Sequence, residues 1–141
     1  MKQIISKNRE NTFRLGKEFA KKLKQGDVVG LIGELGSGKT VFTKGVAEGL
    51  GIDPMNVTSP TFTIINEYEG NLKLFHFDLY RINSIDELEA LGYEEYFYNN
   101  GVVVIEWAEK CIDVLPSGSY LIYFEYIDEN KRKLEFSRKT E

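Results

Sequence analysis

Apolar residues along the chain recur at two spacings, one typical of helices and the other of strands. Within residues 9–24, Phe13, Phe19, Ala20 and Leu23 lie broadly on one side of a helix, and lysines take the other side. Clusters of glycine, proline and asparagine separate most of the periodic segments. Together these patterns predict helices over 9–24, 40–50 and 84–97, strands over 27–33, 61–68, 72–78 and 102–107, and a closing hairpin of strands at 120–126 and 133–137.

Two of the predicted strands, 27–33 and 102–107, are short apolar runs rich in branched residues. Such runs are typical of strands that are buried on both faces of a parallel sheet. The remaining strands are predicted to pair as antiparallel hairpins. The chain is therefore predicted to be α/β, with helices on both faces of a central mixed sheet, antiparallel strands toward one side, and a single domain over residues 1–141.

Residues 33–40 form a motif between a predicted buried strand and a predicted helix. They read Gly33, Glu34, Leu35, Gly36, Ser37, Gly38, Lys39 and Thr40, and this order fits the phosphate-binding P-loop. In a P-loop, glycines let backbone N–H groups surround the phosphates, the lysine reaches the β- and γ-phosphates, and the hydroxyl binds Mg²⁺. A glycine-rich turn with no ligand is the alternative, but it needs neither Lys39 nor Thr40. The motif therefore predicts a P-loop NTPase-type sandwich that binds a nucleotide.

A P-loop NTPase also needs an acidic residue at the carboxyl end of a neighbouring strand, to hold the magnesium ion. Asp78 and Glu106 both end apolar strands, so both are candidates, although each could instead be a helix cap or a solvated strand end. Glu106 is expected to contact the metal, directly or through water, and Asp78 to bind it or to orient the attacking water. His76 is the chain's one histidine, and its alternation with phenylalanines favours a half-buried strand residue over a catalytic one.

Composition limits the possible partners and the compartment. The net charge of −4 over 141 residues gives no general attraction to nucleic acid. The single cysteine, Cys111, excludes an internal disulfide and is expected to be buried and structural. The chain has neither a signal-peptide pattern nor a run of roughly 18 apolar residues that could cross a membrane. We therefore expect a cytoplasmic protein with no membrane partner.

Several patches, in this order, resemble one family. They are the P-loop, the segments 58–63, 76–81 and 86–92, and the pair Glu106-Trp107. Together they resemble the TsaE (YjeE) family, bacterial P-loop ATPases of tRNA threonylcarbamoyladenosine biosynthesis, and the resemblance runs over nearly the whole chain. The one departure is Ala108, because a proline commonly follows Glu-Trp in the family.

The resemblance implies a Mg²⁺-dependent ATPase that binds ATP and ADP, works with two proteins, TsaB and TsaD, and is weak without them. Its hydrolysis is implied to drive or reset an assembly that modifies position 37 of tRNAs reading codons that begin with A, with any tRNA contact made through the complex. Among the residues, it implies Lys39, Asp78, Glu106 and Thr61 as the catalytic set, with Thr40, Glu106 and Asp78 on the metal. Thr61 falls on a loop that resembles a phosphate-sensing switch, and Trp107 near the nucleotide. Adenine contacts are expected near residues 130–133.

Three other functions fit a P-loop less well. A small-molecule P-loop kinase usually needs an arginine-bearing lid to exclude water, and residues 84–97 contain no arginine. A GTPase would need an Asn-Lys-x-Asp element, which the chain lacks because Lys133 stands where the aspartate belongs. An adaptor that binds nucleotide only to hold its shape would not need the paired acids.

Overall fold

The computed structural model describes residues 2–58, 64–98 and 101–140. Within these ranges the strands are β1 (Lys2–Ser6), β2 (Val28–Ile32), β3 (Ile65–Tyr68), β4 (Lys73–Asp78), β5 (Gly101–Glu106), β6 (Tyr120–Tyr126) and β7 (Arg132–Arg138). The helices are α1 (Arg9–Ala20), α2 (Lys39–Gly49), α3 (Ile85–Ala90) and α4 (Tyr93–Phe97), and short 3₁₀ turns cover Pro54–Asn56, Ala108–Lys110 and Ile112–Val114. The predicted helices and strands are thus largely present, with shifts of a few residues at their ends.

The described strands form one mixed sheet in the order β1-β7-β6-β2-β5-β4-β3. The four central strands, β6, β2, β5 and β4, are parallel to one another. Antiparallel strands flank both edges, with β7 and β1 at one edge and β3 at the other. The predicted α/β class and mixed sheet are confirmed, but the antiparallel strands are not confined to one side of the sheet.

Helices cover the two faces of the sheet and give it the predicted three layers. Helices α1 and α2 pack on one face, and their apolar residues share a core with alternate residues of β2, β4 and β5. Helices α3 and α4 lie on the other face, with a second core. Residues on successive positions of the central strands therefore belong to opposite cores, as the continuous apolar runs predict.

The single helix predicted over 84–97 is wrong in detail. Helix α3 begins after Ser84, whose hydroxyl accepts the backbone N–H of Glu87. It ends at Ala90, with Leu91 as its C-cap, and Gly92, with φ at +71°, separates it from α4. A glycine in this left-handed conformation commonly ends a helix, so the segment forms two short helices rather than one.

The parallel pairing brings the ends of three strands to one edge of the sheet. Strand β2 runs into the P-loop, β4 ends at Asp78 and β5 ends at Glu106. Glu106 is paired in register with Asp78 of β4 on one side and with Leu31 of β2 on the other. The carboxyl ends of parallel strands are where α/β proteins place ligands, so this edge is where the functional site is expected.

Across the described ranges, each helix is too short or too polar to span a lipid bilayer.

Candidate functional site

The P-loop connects β2 to α2 and depends on its glycines. Gly36 and Gly38 have φ of +79° and +102°, a left-handed backbone that other residues rarely adopt. A Cβ on Gly33 would lie 2.7 Å from both the Phe124 carbonyl oxygen and the Ser37 hydroxyl. The loop can therefore keep this shape, with its backbone open to a ligand, only with glycine at these places.

Lys39 lies at the start of α2 and is buried. Its ammonium donates hydrogen bonds to the carbonyl oxygens of Gly33 and, at 3.0 Å, Glu34. The Nζ atom also lies 3.9 Å from the centre of the Trp107 ring, a cation–π contact. Burial lowers the pKa of Lys39, and the nearby carboxylate of Glu106 opposes that shift. A positive charge is thus held inside the loop, next to acids on the neighbouring strands.

Thr40 and Glu106 are in direct contact. The Thr40 hydroxyl donates to Oε1 of Glu106 at 2.9 Å, across 66 residues of sequence. The other carboxylate oxygen, Oε2, lies 2.7 Å from Nε2 of His76. Glu106 is only 2% exposed, so both oxygens of a buried carboxylate have a hydrogen-bond partner.

Asp78 lies beside Glu106 but has a different environment. Its Oδ1 accepts the backbone N–H of Tyr80 at 3.0 Å. Burial raises the pKa of Asp78, and the neighbouring carboxylate of Glu106 raises it further, while the Tyr80 hydrogen bond opposes the shift. The site therefore contains two adjacent acids, one paired with the P-loop threonine and the other at the rim of the pocket.

A pocket of about 690 Å³ opens over the P-loop. Asp78, Tyr80, Arg81, Glu106 and Trp107 line it beside the P-loop residues. It is also lined by residues of α1 and of the β6–β7 hairpin, which are Arg9, Thr12, Glu129, Asn130 and Arg132. A pocket of this volume can hold more than a phosphate group.

The connection between β6 and β7 is fastened to the P-loop by Arg132. Its Nε donates to the Gly36 carbonyl oxygen at 3.2 Å. Its Nη1 donates to the carbonyl oxygens of Asp128 and Lys131, and the guanidinium stacks on Tyr126 at 4.5 Å. The wall of the pocket and the loop beneath it are therefore one connected unit.

The donor set fits a nucleotide with magnesium. A hydroxyl oxygen and carboxylate oxygens are the ligands that Mg²⁺ prefers, and Mg²⁺ is usually bound by one or two carboxylates together with phosphate oxygens. No cluster of three or more His, Cys, Asp or Glu that could bind a metal by itself occurs in the described part of the chain. A metal here would therefore be one that a bound phosphate chain helps to hold.

The structure brings most of the predicted site residues together. Lys39, Thr40, Asp78, Glu106 and Trp107 all line the one pocket. Residues 35–38 line it too, whereas Glu34 is an exposed part of the loop that does not. The predicted switch residue Thr61 lies outside the described residues.

One residue has a different environment from the predicted one, and two pocket residues of α1 were not predicted. His76 is fully buried and bonded to Glu106, rather than half-buried on a strand surface. Arg9 and Thr12 line the pocket from α1, but nothing in their local sequence signals it. Cys111 is buried as expected, and burial raises its pKa to about 12.

Comparison with known proteins gives a consistent result. Residues 6–134 match the family model described as threonylcarbamoyl adenosine biosynthesis protein TsaE. The chain belongs to the TsaE family. Similar relatives include the tRNA threonylcarbamoyladenosine biosynthesis protein TsaE of Bacillus subtilis, which is 47% identical over 92% of this chain and 81% of the relative. The protein of the same description from Aquifex aeolicus is 40% identical over 99% of this chain and 98% of its own length.

A solved structure is also similar to this chain. The crystal structure of YdiB from Bacillus subtilis aligns with a TM-score of 0.79 at 40% identity, covering 97% of this chain and 84% of that one. The P-loop fold predicted from the sequence is therefore confirmed, as is the resemblance to the TsaE family.

Proposed function

We propose that this protein is a Mg²⁺-dependent ATPase that supports threonylcarbamoyladenosine formation at position 37 of tRNAs reading codons that begin with A. The contact between Thr40 and Glu106, 2.9 Å from hydroxyl to carboxylate at the mouth of a glycine-lined P-loop, carries this proposal. The two groups come from different elements, and a hydroxyl paired with a strand-end carboxylate is the arrangement with which P-loop NTPases hold magnesium.

ATP binding rests on the loop and the helix that follows it. Backbone N–H groups of residues 36–40 and the amino end of α2, with 11 residues, attract the phosphates. Lys39 supplies a positive charge that is already desolvated, so its attraction for phosphate is stronger than that of a surface lysine. To contact phosphate, its ammonium exchanges the carbonyl oxygens of Gly33 and Glu34 for phosphate oxygens.

Thr40 and Glu106 are the residues that would hold magnesium. An ion held there would supply positive charge to neutralise what develops on the phosphate oxygens during hydrolysis. Because Oε1 of Glu106 already accepts the Thr40 hydroxyl, we assign the metal-side role to Glu106.

Asp78 has the second acidic role. Asp78 is paired with Glu106 in the register of β4 and β5, so it lies at the same edge of the sheet. Burial raises the pKa of Asp78. An acid with a raised pKa is a better proton acceptor than an exposed aspartate. We therefore assign Asp78 to orienting the attacking water and accepting its proton at the carboxylate.

The cellular role is inferred from relatives. Proteins 36–47% identical to this chain are described as tRNA threonylcarbamoyladenosine biosynthesis proteins. We infer that the chain acts in the cytoplasm with TsaB and TsaD, as the ATPase that drives or resets their assembly. The net charge of −4 favours tRNA contact through that assembly rather than by this chain directly.

A small-molecule kinase is less consistent with the pocket. Such an enzyme needs a second binding region and a cover over the phosphoryl group. Helices α3 and α4 pack against the opposite face of the sheet, and none of their described residues is among those that line the pocket. Residues 85–97 therefore do not line the pocket as a lid over the phosphoryl group would.

Phosphate release in the absence of any acceptor separates the two functions. We expect the protein with TsaB and TsaD to release phosphate from ATP when Mg²⁺ is present, and Lys39→Ala to lose both release and nucleotide binding. ADP formation that required an added small-molecule acceptor, with the phosphoryl group transferred to that acceptor and no free phosphate released, would support the kinase instead. No binding of ATP or ADP by the unaltered protein would contradict the proposal.

A further inference from the structure

His76 is the chain's one histidine, and it is buried next to the acid that we assign to the metal. It lies on β4, two residues before Asp78, and is fully buried. Its Nε2 is 2.7 Å from Oε2 of Glu106. Through Glu106 it is connected to Thr40, which donates to the other carboxylate oxygen.

The direction of the hydrogen bond follows from the chemistry of the two groups. An ionised carboxylate only accepts hydrogen bonds, so Nε2 of His76 carries the hydrogen. The other ring nitrogen, Nδ1, is buried and has no hydrogen-bond partner among the described residues. In the neutral ring, Nδ1 is then a bare acceptor.

An unpaired buried polar atom needs an explanation, because it costs free energy. The neighbours on the same face of the sheet, Leu74 and Val104, are apolar, and an apolar side chain at position 76 would fill the space without leaving Nδ1 unpaired. Among the described residues, the side-chain hydrogen bond that this histidine makes is the one to Glu106. The bond to Glu106 is therefore what a histidine provides at this position.

Glu106 has reason to need such a partner. A glutamate side chain has more rotatable bonds than an aspartate, so it loses more freedom when it is held in one position. Thr40 fixes only one oxygen, and the carboxylate could rotate about that contact. A second hydrogen bond at Oε2 holds its plane and direction.

We propose that His76 is a positioning residue for Glu106. By binding Oε2 it keeps Oε1 directed at Thr40, and so it sets the affinity of the nucleotide-bound protein for magnesium without itself touching nucleotide or metal. Groups that hydrogen-bond to metal ligands typically change metal affinity by about 10–100-fold when removed. This inference rests on the proposed role of Glu106 as the metal-side acid.

Three variants separate positioning from simple packing. His76→Leu removes the donor and keeps an apolar volume, and His76→Gln replaces the Nε2 donor with an amide N–H. Leu74→Ala is the matched control, because Leu74 is fully buried on the same face of β4 but near its other end. Each is examined for thermal stability, for ADP affinity in EDTA, and for Mn²⁺ binding to the ADP complex by electron paramagnetic resonance.

We expect His76→Leu to weaken Mn²⁺ binding by roughly 10–100-fold and to raise the Mg²⁺ concentration for half-maximal hydrolysis by a similar factor. ADP affinity in EDTA should be unchanged. His76→Gln should recover most of the metal affinity. Leu74→Ala should lose thermal stability but keep the metal affinity of the unaltered protein. Metal affinity in His76→Leu equal to that of the unaltered protein would overturn the inference, as would equal losses in His76→Leu and Leu74→Ala.

A spectroscopic test reads the ring of His76 directly and needs no substitution at position 76. With ¹⁵N-labelled histidine, the single histidine gives one pair of ring nitrogen signals. We expect the hydrogen on Nε2, and a shift of that signal in Glu106→Gln. A hydrogen on Nδ1 in place of Nε2, or an Nε2 signal that does not shift in Glu106→Gln, would overturn the inference.

Failure of the proposed function would look different. Hydrolysis by the unaltered protein that does not depend on Mg²⁺ would contradict the metal role of Glu106 itself. Ordinary Mg²⁺ dependence in the unaltered protein, with no change in His76→Leu, would leave that role intact and remove only the role of His76.

Discussion

At the scale of single residues, the turn that follows Glu106 is the most unusual feature. Trp107 has φ of +64°, and it is the one non-glycine residue with a positive φ in the described ranges. That conformation costs about 1–2 kcal/mol for an ordinary residue. Its ring contacts Lys39 at 3.9 Å and Tyr80 at 5.0 Å, and these contacts offset the cost. The turn ends β5 abruptly and leaves Glu106 as its last residue, facing the P-loop.

Cys111 gives a residue-scale prediction. Burial raises its pKa from an ordinary 9.0 to about 12, so at pH 8 the folded protein holds about a thousandfold less thiolate than an unfolded chain at equal pH. We expect 5,5′-dithiobis-(2-nitrobenzoic acid) to react very slowly with the native protein and to titrate one thiol in denaturant.

The raised pKa of Cys111 also makes the free energy of unfolding depend on pH. Between pH 9 and 12 the unfolded chain releases the thiol proton and the folded chain keeps it, so the free energy of unfolding should fall as the pH rises through that window. Rapid reaction of the native protein with 5,5′-dithiobis-(2-nitrobenzoic acid) at pH 8 would contradict the burial of Cys111.

At the scale of elements, the close packing of α1 on α2 determines where the P-loop helix lies. A Cβ on Gly45 would lie 2.0 Å from the Phe13 carbonyl oxygen, and one on Gly16 would lie 2.2 Å from the Phe42 carbonyl oxygen. Two helices can approach so closely only where both lack side chains. The approach brings Arg9 and Thr12 of α1 to the pocket that α2 helps to line.

Gly45→Ala should therefore destabilise the protein. In an isolated helix the change would add about 1 kcal/mol of stability, but here the methyl group overlaps backbone atoms, and overpacking of this kind costs roughly 1–3 kcal/mol or more. Urea unfolding should show a lower midpoint. Lys44→Ala, the neighbouring and partly exposed position, is the control and should change stability by less than about 0.5 kcal/mol. A more stable Gly45→Ala protein would show that the helices are farther apart.

Most of these elements follow from local patterns, and the exceptions have physical causes. The apolar runs at 28–32 and 102–105 identify the central strands because burial on both faces leaves no polar position within them. Strand β1 has no such pattern: it is a short edge strand, and its burial and pairing come from β7, far along the chain. The break at Gly92 depends on one backbone conformation, which the helical periodicity on either side conceals.

At the scale of the whole molecule, the site is assembled from distant parts of the sequence by the order of the strands. The P-loop follows β2, and Glu106 lies on β5, which is next to β2 only because the chain crosses over to form β3 and β4 first. The antiparallel strands at one edge also contribute, since the connection of β6 to β7 forms a wall of the pocket. Arg132 ties that wall to Gly36 at 3.2 Å.

The parts of the site that the sequence predicts are those with a local signal. The P-loop has a fixed spacing, and an acid ending an apolar strand is visible in the chain, so Lys39, Thr40, Asp78 and Glu106 are recognisable in advance. The pairing of His76 with Glu106 is not, because it depends on the register between β4 and β5. Arg9 and Thr12 reach the pocket only through the packing of α1 on α2, which no single segment encodes.

The central claim is that the carboxylate of Glu106 is needed for hydrolysis but not for nucleotide binding. The most direct measurement is phosphate release from ATP by Glu106→Gln in the assembly with TsaB and TsaD, beside a measurement of its ADP affinity in EDTA. The substitution keeps the size of the side chain and removes its charge. We expect ADP affinity within about threefold of the unaltered protein and hydrolysis lower by roughly 100-fold or more. Undiminished phosphate release by Glu106→Gln in that assembly would contradict the account.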